Sequence, residues 1–277
     1  GMSARQSPKL PAEGFVRLVT LTPFSAYATK QGIDVETIAE DFGIDPKSLA
    51  NPDVFVHCEV VYGTLNAYVR EAKDPYLGLH VGEWLDIASW PPFYDAARSS
   101  RTLSEFFSIF IKTIPREANT VTHNLIIEPD GAVYRVTRSF VPSEDPSQAY
   151  AFGVGVFMRL FESIGTEHID FGQLEVRLPN PRVVPPGYKG AKVGHISGNA
   201  YEYRFPAEWL HLPISLHSKL TAPPDTLRDP AIPKVSVVGA FRAAAVPLLE
   251  DLSAGVNEVA AALGLDPKRL TNALKRQ

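Results

Sequence analysis

Residues 121–141 read VTHNLIIEPDGAVYRVTRSFV, and this stretch decides the fold class. Upstream of it, apolar residues recur at helical spacing; within it, they alternate. Val121 to Glu128 and Ala132 to Val141 carry the period of two that a half-buried strand requires. Pro129-Asp130-Gly131 between them is turn chemistry, since Pro pre-sets φ and Gly reaches conformations other residues avoid. The stretch therefore predicts an antiparallel hairpin. Its alternation puts Val133, Arg135, Thr137 and Ser139 on one face and Tyr134, Val136, Arg138 and Phe140 on the other.

Working outward toward the N-terminus, the first 115 or so residues predict helices throughout. Thr22-Pro23 reads as a helix start, with Thr22 as the cap and Pro23 in the first turn, where no N–H is needed. Asp34 caps a second short helix carrying Val35, Ile38 and Phe42, and Asp45-Pro46 opens a short turn. His57 to Ala72 places Val60, Val61, Leu65, Tyr68 and Val69 at helical spacing. Asp74-Pro75 starts a further helix, and Thr102 with Glu105 forms a capping box before Leu103, Phe106, Phe107, Phe110 and Ile111.

Toward the C-terminus, Ala149 to Ile164 predicts a long apolar helix. Leu174, Val176 and Leu178 alternate as a third strand, and Pro179 to Gly198, with four prolines and four glycines, reads mostly as loop. Ala200 to Phe205 is a last strand, followed by one helical turn over Pro206 to Leu210. Helices followed by an antiparallel ββαββ unit predict an α+β fold, with a helical fragment after it. Pro223 to Pro233 has linker composition, which divides the chain into 1–222, a linker at 223–233, and 234–277.

By its spacing the last segment reads either as a helix-turn-helix or as an ordinary αα-hairpin with a solvated basic face; each residue has a role in the first. Ala260 is small where two helices cross, Gly264 ends the first helix, and Leu265 plugs the gap. Asp266 caps the second helix, Pro267 opens it, and Leu270 and Leu274 face inward. Lys268, Arg269, Asn272, Lys275 and Arg276 are left outward, which is the chemistry that contacts phosphates and base edges. Glu36 to Asn51 aligns with Asn257 to Asn272 at seven of sixteen positions. That copy is acidic on its first helix (Glu36, Glu40, Asp41) and stops at Pro52, so it reads as the same geometry put to structural use.

Composition bounds the rest. The chain has 277 residues, 27 Lys+Arg and 31 Asp+Glu, for a net charge of −4. Hydrophobic and charged contents of 45% and 21% are those of an ordinary globular protein able to build its own core. Residues 256–277 hold four basic and two acidic groups, so a basic tail follows an acidic body. A lone cysteine, Cys58, excludes an internal disulfide and any cysteine-cluster zinc site, and fits a cytoplasmic location. No apolar run is long enough for a membrane helix. No nucleotide-binding glycine loop, serine elbow or metal-ligand spacing is present, which predicts a non-enzyme without cofactor or metal. Gly153-Val154-Gly155 lacks a third glycine and reads as helix packing; Cys58 reads as a buried, inert thiol.

The C-terminal piece resembles the first helix-turn-helix of AraC/XylS-type transcriptional regulators. The residues that carry this are Glu258-Val259-Ala260, Leu263-Gly264, Asp266, Arg269-Leu270 and Leu274. The body resembles the family's arabinose-binding-domain type of effector domain. It does so through Gly32-Ile33-Asp34, Gly43-Ile44-Asp45-Pro46, Asn51-Pro52-Asp53, the run Asp74 to Glu83, and Ser100 to Glu105. Leu178-Pro179-Asn180-Pro181 and Phe205 to Leu210 extend the likeness, which spans about residue 16 to 276. The resemblance implies a ligand-responsive regulator: 1–222 senses a small molecule and dimerises, and 234–277 is a partial DNA-binding region. The family has two helix-turn-helix units, and the sequence runs only into the first recognition helix, so weak or no specific DNA binding is expected of this chain. The alternative is a protein interaction or dimerisation module without a small-molecule ligand.

For an effector pocket, the aromatic walls expected are Trp84, Trp90, Phe93 and Tyr94 from one segment and Tyr150, Phe152 and Phe157 from the long helix. Arg135 and Arg159 are the expected anchors for an anionic effector; the alternative is a plain core with exposed arginines on a sheet edge. On that reading, Ala at either position abolishes the effector response and leaves folding intact.

Overall fold

The computed structural model describes residues 14–216 with the exception of 118 and 139. The linker at 223–233 and the helix-turn-helix residues Lys268, Arg269, Asn272, Lys275 and Arg276 lie outside the described residues.

The N-terminal layer contains β1 (Phe15–Arg17), α1 (Thr22–Lys30), α2 (Val35–Asp41), β2 (Phe55–His57) and α3 (Cys58–Ala72). The expectation of helices alone is corrected here. β1 and β2 pair antiparallel, Phe15 opposite His57 and Arg17 opposite Phe55. Strands of three residues are too short to show a period, so only the partner forty residues away defines them. Thr22 does begin α1, but its hydroxyl donates to the Leu49 carbonyl (2.9 Å) rather than capping the helix. Asp34 caps α2 as read, accepting from the Thr37 amide at 3.2 Å. Asp45 caps only a 3-10 turn, Pro46–Ser48, so the N-terminal copy of the helix-turn-helix spacing forms no second α-helix. Pro52 closes the space, since the residue before a proline is steered away from helix.

Next come α4 (Leu77–Trp84), α5 (Pro91–Ser99) and α6 (Leu103–Thr113). The capping box at α6 is half made. Thr102 accepts from the Glu105 amide (3.2 Å), while the Glu105 carboxylate takes the Arg101 amide (2.8 Å).

The sheet and its covering helix follow: β3 (Thr122–Glu128), β4 (Gly131–Thr137), α7 (Ser147–Ile164), β5 (Glu175–Leu178), β6 (Lys192–His195) and β7 (Ala200–Phe205). The strand order is β3-β4-β7-β5-β6. β3 and β4 form the expected hairpin, with Glu128 opposite Gly131 across a two-residue turn. One strand lies inside the stretch expected to be loop: β6 runs parallel to β5, Val176 opposite Val193. Two 3-10 turns, Pro181–Val183 and Tyr188–Gly190, carry the chain back over the top so that β6 can enter in the same direction. The sheet is therefore mixed, with one parallel pair.

Helices α4 and α7 cross at backbone distance. A Cβ built on Gly78 would stand 2.1 Å from the Gln148 carbonyl oxygen. One on Gly82 would stand 2.5 Å from that of Phe152, and one on Gly155 2.7 Å from that of Leu79. Gly155 thus serves helix packing, as read; Gly153 does not, since a Cβ there would stand 2.6 Å from the Tyr201 hydroxyl on the sheet. This crossing separates two cores. Leu79 belongs to the core of α5, α6, α7 and the sheet; Leu77 and Val81 belong to the N-terminal core, and Phe152 packs against both.

A cavity between two cores

Where the two cores fail to close on each other they leave a cavity of about 630 Å³. That lies within the roughly 300–1,000 Å³ typical of small-molecule sites. One wall is the stretch from Val16 to Ala26, continued by Tyr62 and Leu65 of α3. A further part of the lining is Trp84 to Asp86 and Ser89 to Pro91. The floor comes from α6, the segment 117–123 and α7, with Phe110, His123, Phe152 and Phe157. Thr22, Ala26, Trp84 and Asp86 are exposed, which places the mouth between α1 and the end of α4.

The lining is mostly apolar, and its polar groups are few. Buried Arg17 donates through Nη1 to the Pro52 carbonyl and through Nε to that of Arg116, and its guanidinium lies 5.0 Å from the Phe55 ring centre. It stands 3.5 Å from the Glu117 carboxylate. Burial pushes the Glu117 carboxyl above the usual range, although Arg17 draws it down. His123 engages the Tyr134 hydroxyl through Nδ1 (2.8 Å), and burial drops its pKa to about 4, so it is neutral at pH 7. Burial likewise pushes the Tyr62 and Tyr201 phenols up, so both stay protonated.

Of the residues expected at an effector site, Trp84, Trp90, Phe152 and Phe157 line this cavity. Trp90 meets Phe110 and Phe152 edge-on at 5.9 and 5.6 Å. Tyr94 is buried on α5 with Arg98 over its ring, away from the lining. Tyr150 stands one layer behind, its ring centre 4.6 Å from that of Tyr201, which does line it, with the rings tilted by 30°. Arg135 is on the outer face of the sheet, donating through Nε to Glu202 at 2.9 Å. Burial alone would raise the Glu202 pKa, yet the hydrogen bonds from Arg204 and Arg135 hold it below the usual carboxylate range. Arg159 donates through Nη1 to the Gly82 and Leu85 carbonyls, closing the end of α4. The sequence reading missed Arg17, Phe24, Phe110, Glu117 and His123, which come from two stretches, 17–24 and 110–123, far apart in the chain. No local pattern marks such residues as neighbours.

Among the described residues no group of three His, Cys, Asp or Glu side chains is placed to hold a metal ion, and no helix is long and apolar enough to cross a membrane.

Residues 32–214 match the family described as the arabinose-binding domain of AraC transcription regulator, N-terminal. No curated protein sequence matches the chain. Among solved structures, the crystal structure of transcriptional regulator CdpR from Pseudomonas aeruginosa is similar with a TM-score of 0.44 and 14% identity. The match covers 91% of this chain and 79% of that one.

Proposed function

This chain belongs to the family of arabinose-binding N-terminal domains of AraC transcription regulators, and from that premise we propose that it is an effector-responsive transcriptional regulator. The cavity between the two cores is its effector site, lined by Trp84, Trp90, Phe110, Glu117, His123 and Phe152. Residues 234–277 supply the DNA contacts through Lys268, Arg269, Asn272, Lys275 and Arg276, and the chain acts as a homodimer. The observation that carries the reading is the cavity itself: an apolar space of ligand size, with few polar groups, opening between α1 and α4. A molecule that fills it touches both cores at once. It thereby favours one arrangement of them over another, which is what a population shift needs.

The test uses the full chain and Nile red, an uncharged apolar dye. Saturable binding at one dye per chain is expected. Ala26→Trp should abolish it while leaving the circular dichroism spectrum unchanged, because Ala26 is exposed at the mouth. Absence of saturable binding would sink the effector-site reading and favour a dimerisation module. For the DNA half, Lys268→Ala with Arg269→Ala should weaken binding to double-stranded DNA and flatten its salt dependence by about two charges. An unchanged salt slope would remove these residues from the interface.

A further inference from the structure

The charges around the cavity select what enters it. Among the described residues, three formally charged side chains line it: Asp86, Glu117 and Arg17. Arg17 is engaged, with donors on two backbone carbonyls and its plane on Phe55. Glu117 is less so. Its carboxylate pairs with Arg17 at 3.5 Å and feels Arg116, but among the described residues no N–H or O–H is hydrogen-bonded to it. Glu59, another carboxylate with partners across the fold, shows what satisfaction looks like here: it accepts from the Ser143 amide, the Ser143 hydroxyl and the Glu144 amide at 2.7–2.9 Å. A largely buried carboxylate with so little compensation is costly, and burial duly pushes the Glu117 pKa up despite the arginine. A cationic donor arriving in the cavity would relieve that cost.

Of the cations near the cavity, Arg135 is tied to Glu202 outside it, and Arg159 to the carbonyls that end α4. Lys30 stands outside the mouth, its Nζ 5.7 Å from the centre of the Trp84 ring. Arg138 is buried behind the wall, its guanidinium 5.0 Å from the centre of the Tyr62 ring and its Nε on the Tyr150 hydroxyl; its Nη1 has no hydrogen-bond partner among the described residues, but the residue does not line the space. What remains for a ligand's apolar body is aromatic: Trp90, Phe110, Phe152 and Phe157, with Trp84 at the mouth. Indole faces add attraction for an ammonium.

We propose that the effector is an organic cation, an ammonium carried on an apolar ring-containing body, with Glu117 as its counter-ion and Asp86 favouring its entry at the mouth. This rests on the effector-site reading above and specifies the ligand class. It reverses the expectation of an anion held by Arg135 and Arg159.

The experiment displaces Nile red from the full chain with three probes of one shape and different charge: phenylpropylamine, phenylpropanol and phenylpropanoate. The amine should displace at a concentration at least about tenfold lower than the carboxylate, with the alcohol between. Glu117→Gln, checked for fold by circular dichroism, should erase most of that difference while keeping the affinity for the alcohol. The comparison on the unaltered chain stands even if the variant does not fold. Equal or tighter displacement by the carboxylate overturns the proposal and directs attention to Arg138. So does a folded Glu117→Gln chain that keeps the amine preference. If Nile red binds and none of the three displaces it, the proposed ligand class is wrong and the cavity remains an effector site. If Nile red itself does not bind, the effector-site reading falls, and this one with it.

Discussion

At the residue scale, burial rather than spacing sets the chemistry of each group. His57 and Cys58 sit together at the start of α3, where the His57 Nδ1 accepts from the Glu59 amide at 3.2 Å. Burial pushes the Cys58 thiol up to about 12, so almost none of it is thiolate at neutral pH. A thiol-reactive dye should leave native Cys58 unlabelled for hours and label it at once in denaturant; fast native labelling would contradict this. Histidine burial has a consequence for stability. His57 is lowered from 6.5 to about 4 by burial, against the pull of Glu59 and with a smaller push from Arg138, and His123 to about 4 by burial alone. Both are neutral in the fold, so the unfolded chain takes up protons first as pH falls. Their contribution is fully present above pH 6.5 and is lost as pH drops toward 4, by up to about 1.4 kcal/mol per pH unit for each. Urea titrations between these limits should show the decline, and His123→Gln should show a shallower one. Equal slopes for the two chains would mean His123 is not held neutral.

At the scale of elements, the α4–α7 crossing is the contact with least room to adjust. Gly82→Ala drives a methyl to 2.5 Å from a backbone carbonyl, which cannot rotate away, and overpacking of this kind costs about 1–3 kcal/mol. A urea midpoint unchanged from that of the unaltered chain would show that the helices can part freely. Arg159 acts on the same element from α7. Removing it strips two carbonyls at the end of α4 of a charged donor, at a cost of about 1–3 kcal/mol. Because Trp84, Leu85 and Asp86 line the cavity from that end, Arg159→Ala should also weaken Nile red binding without touching the dye. Arg135→Ala should leave that binding unchanged; a loss there would put Arg135 in communication with the cavity. The elements were legible in the sequence to the extent that they are self-sufficient. The hairpin, α3, α6 and α7 each carry a complete period or a cap of their own. β1, β2 and β6 do not, since three or four residues become a strand only through a partner found elsewhere. Half of the candidate site was hidden for the same reason. Trp84 and Trp90 stand out as large aromatics near one another in the chain, but Arg17, Glu117 and His123 meet only through tertiary contact. The alternation was read correctly as far as Thr137, where β4 ends short of the expected Val141, yet alternation does not say which face meets the core, and Arg135 lies on the outer one.

For the molecule as a whole, the cavity is the place where two cores share a boundary without filling it. The N-terminal core rests on the rest of the fold through α4 and α7 and through polar ties at its rim. Those ties include Glu59 on the 143–144 turn, and Asn119, whose side-chain oxygen accepts the Gly14 and Phe15 amides at 2.9 and 2.6 Å. An occupant of the cavity adds apolar contact across that boundary, and it should stabilise both sides together. At a hundred times its Kd, a ligand that binds only the folded chain adds about 2.7 kcal/mol. Amide hydrogen exchange can locate that gain. If the two cores open independently, Nile red should protect β1 and β2 most, including the Cys58 amide that donates to the Gly14 carbonyl at 2.7 Å, and leave the β5–β6 edge as it was. If they open as one, protection should rise evenly in both. Protection confined to the sheet, with the N-terminal strands unaffected, would mean that the N-terminal core does not feel the cavity. The route from effector to the C-terminal segment would then have to start from the sheet and α7, not from α1.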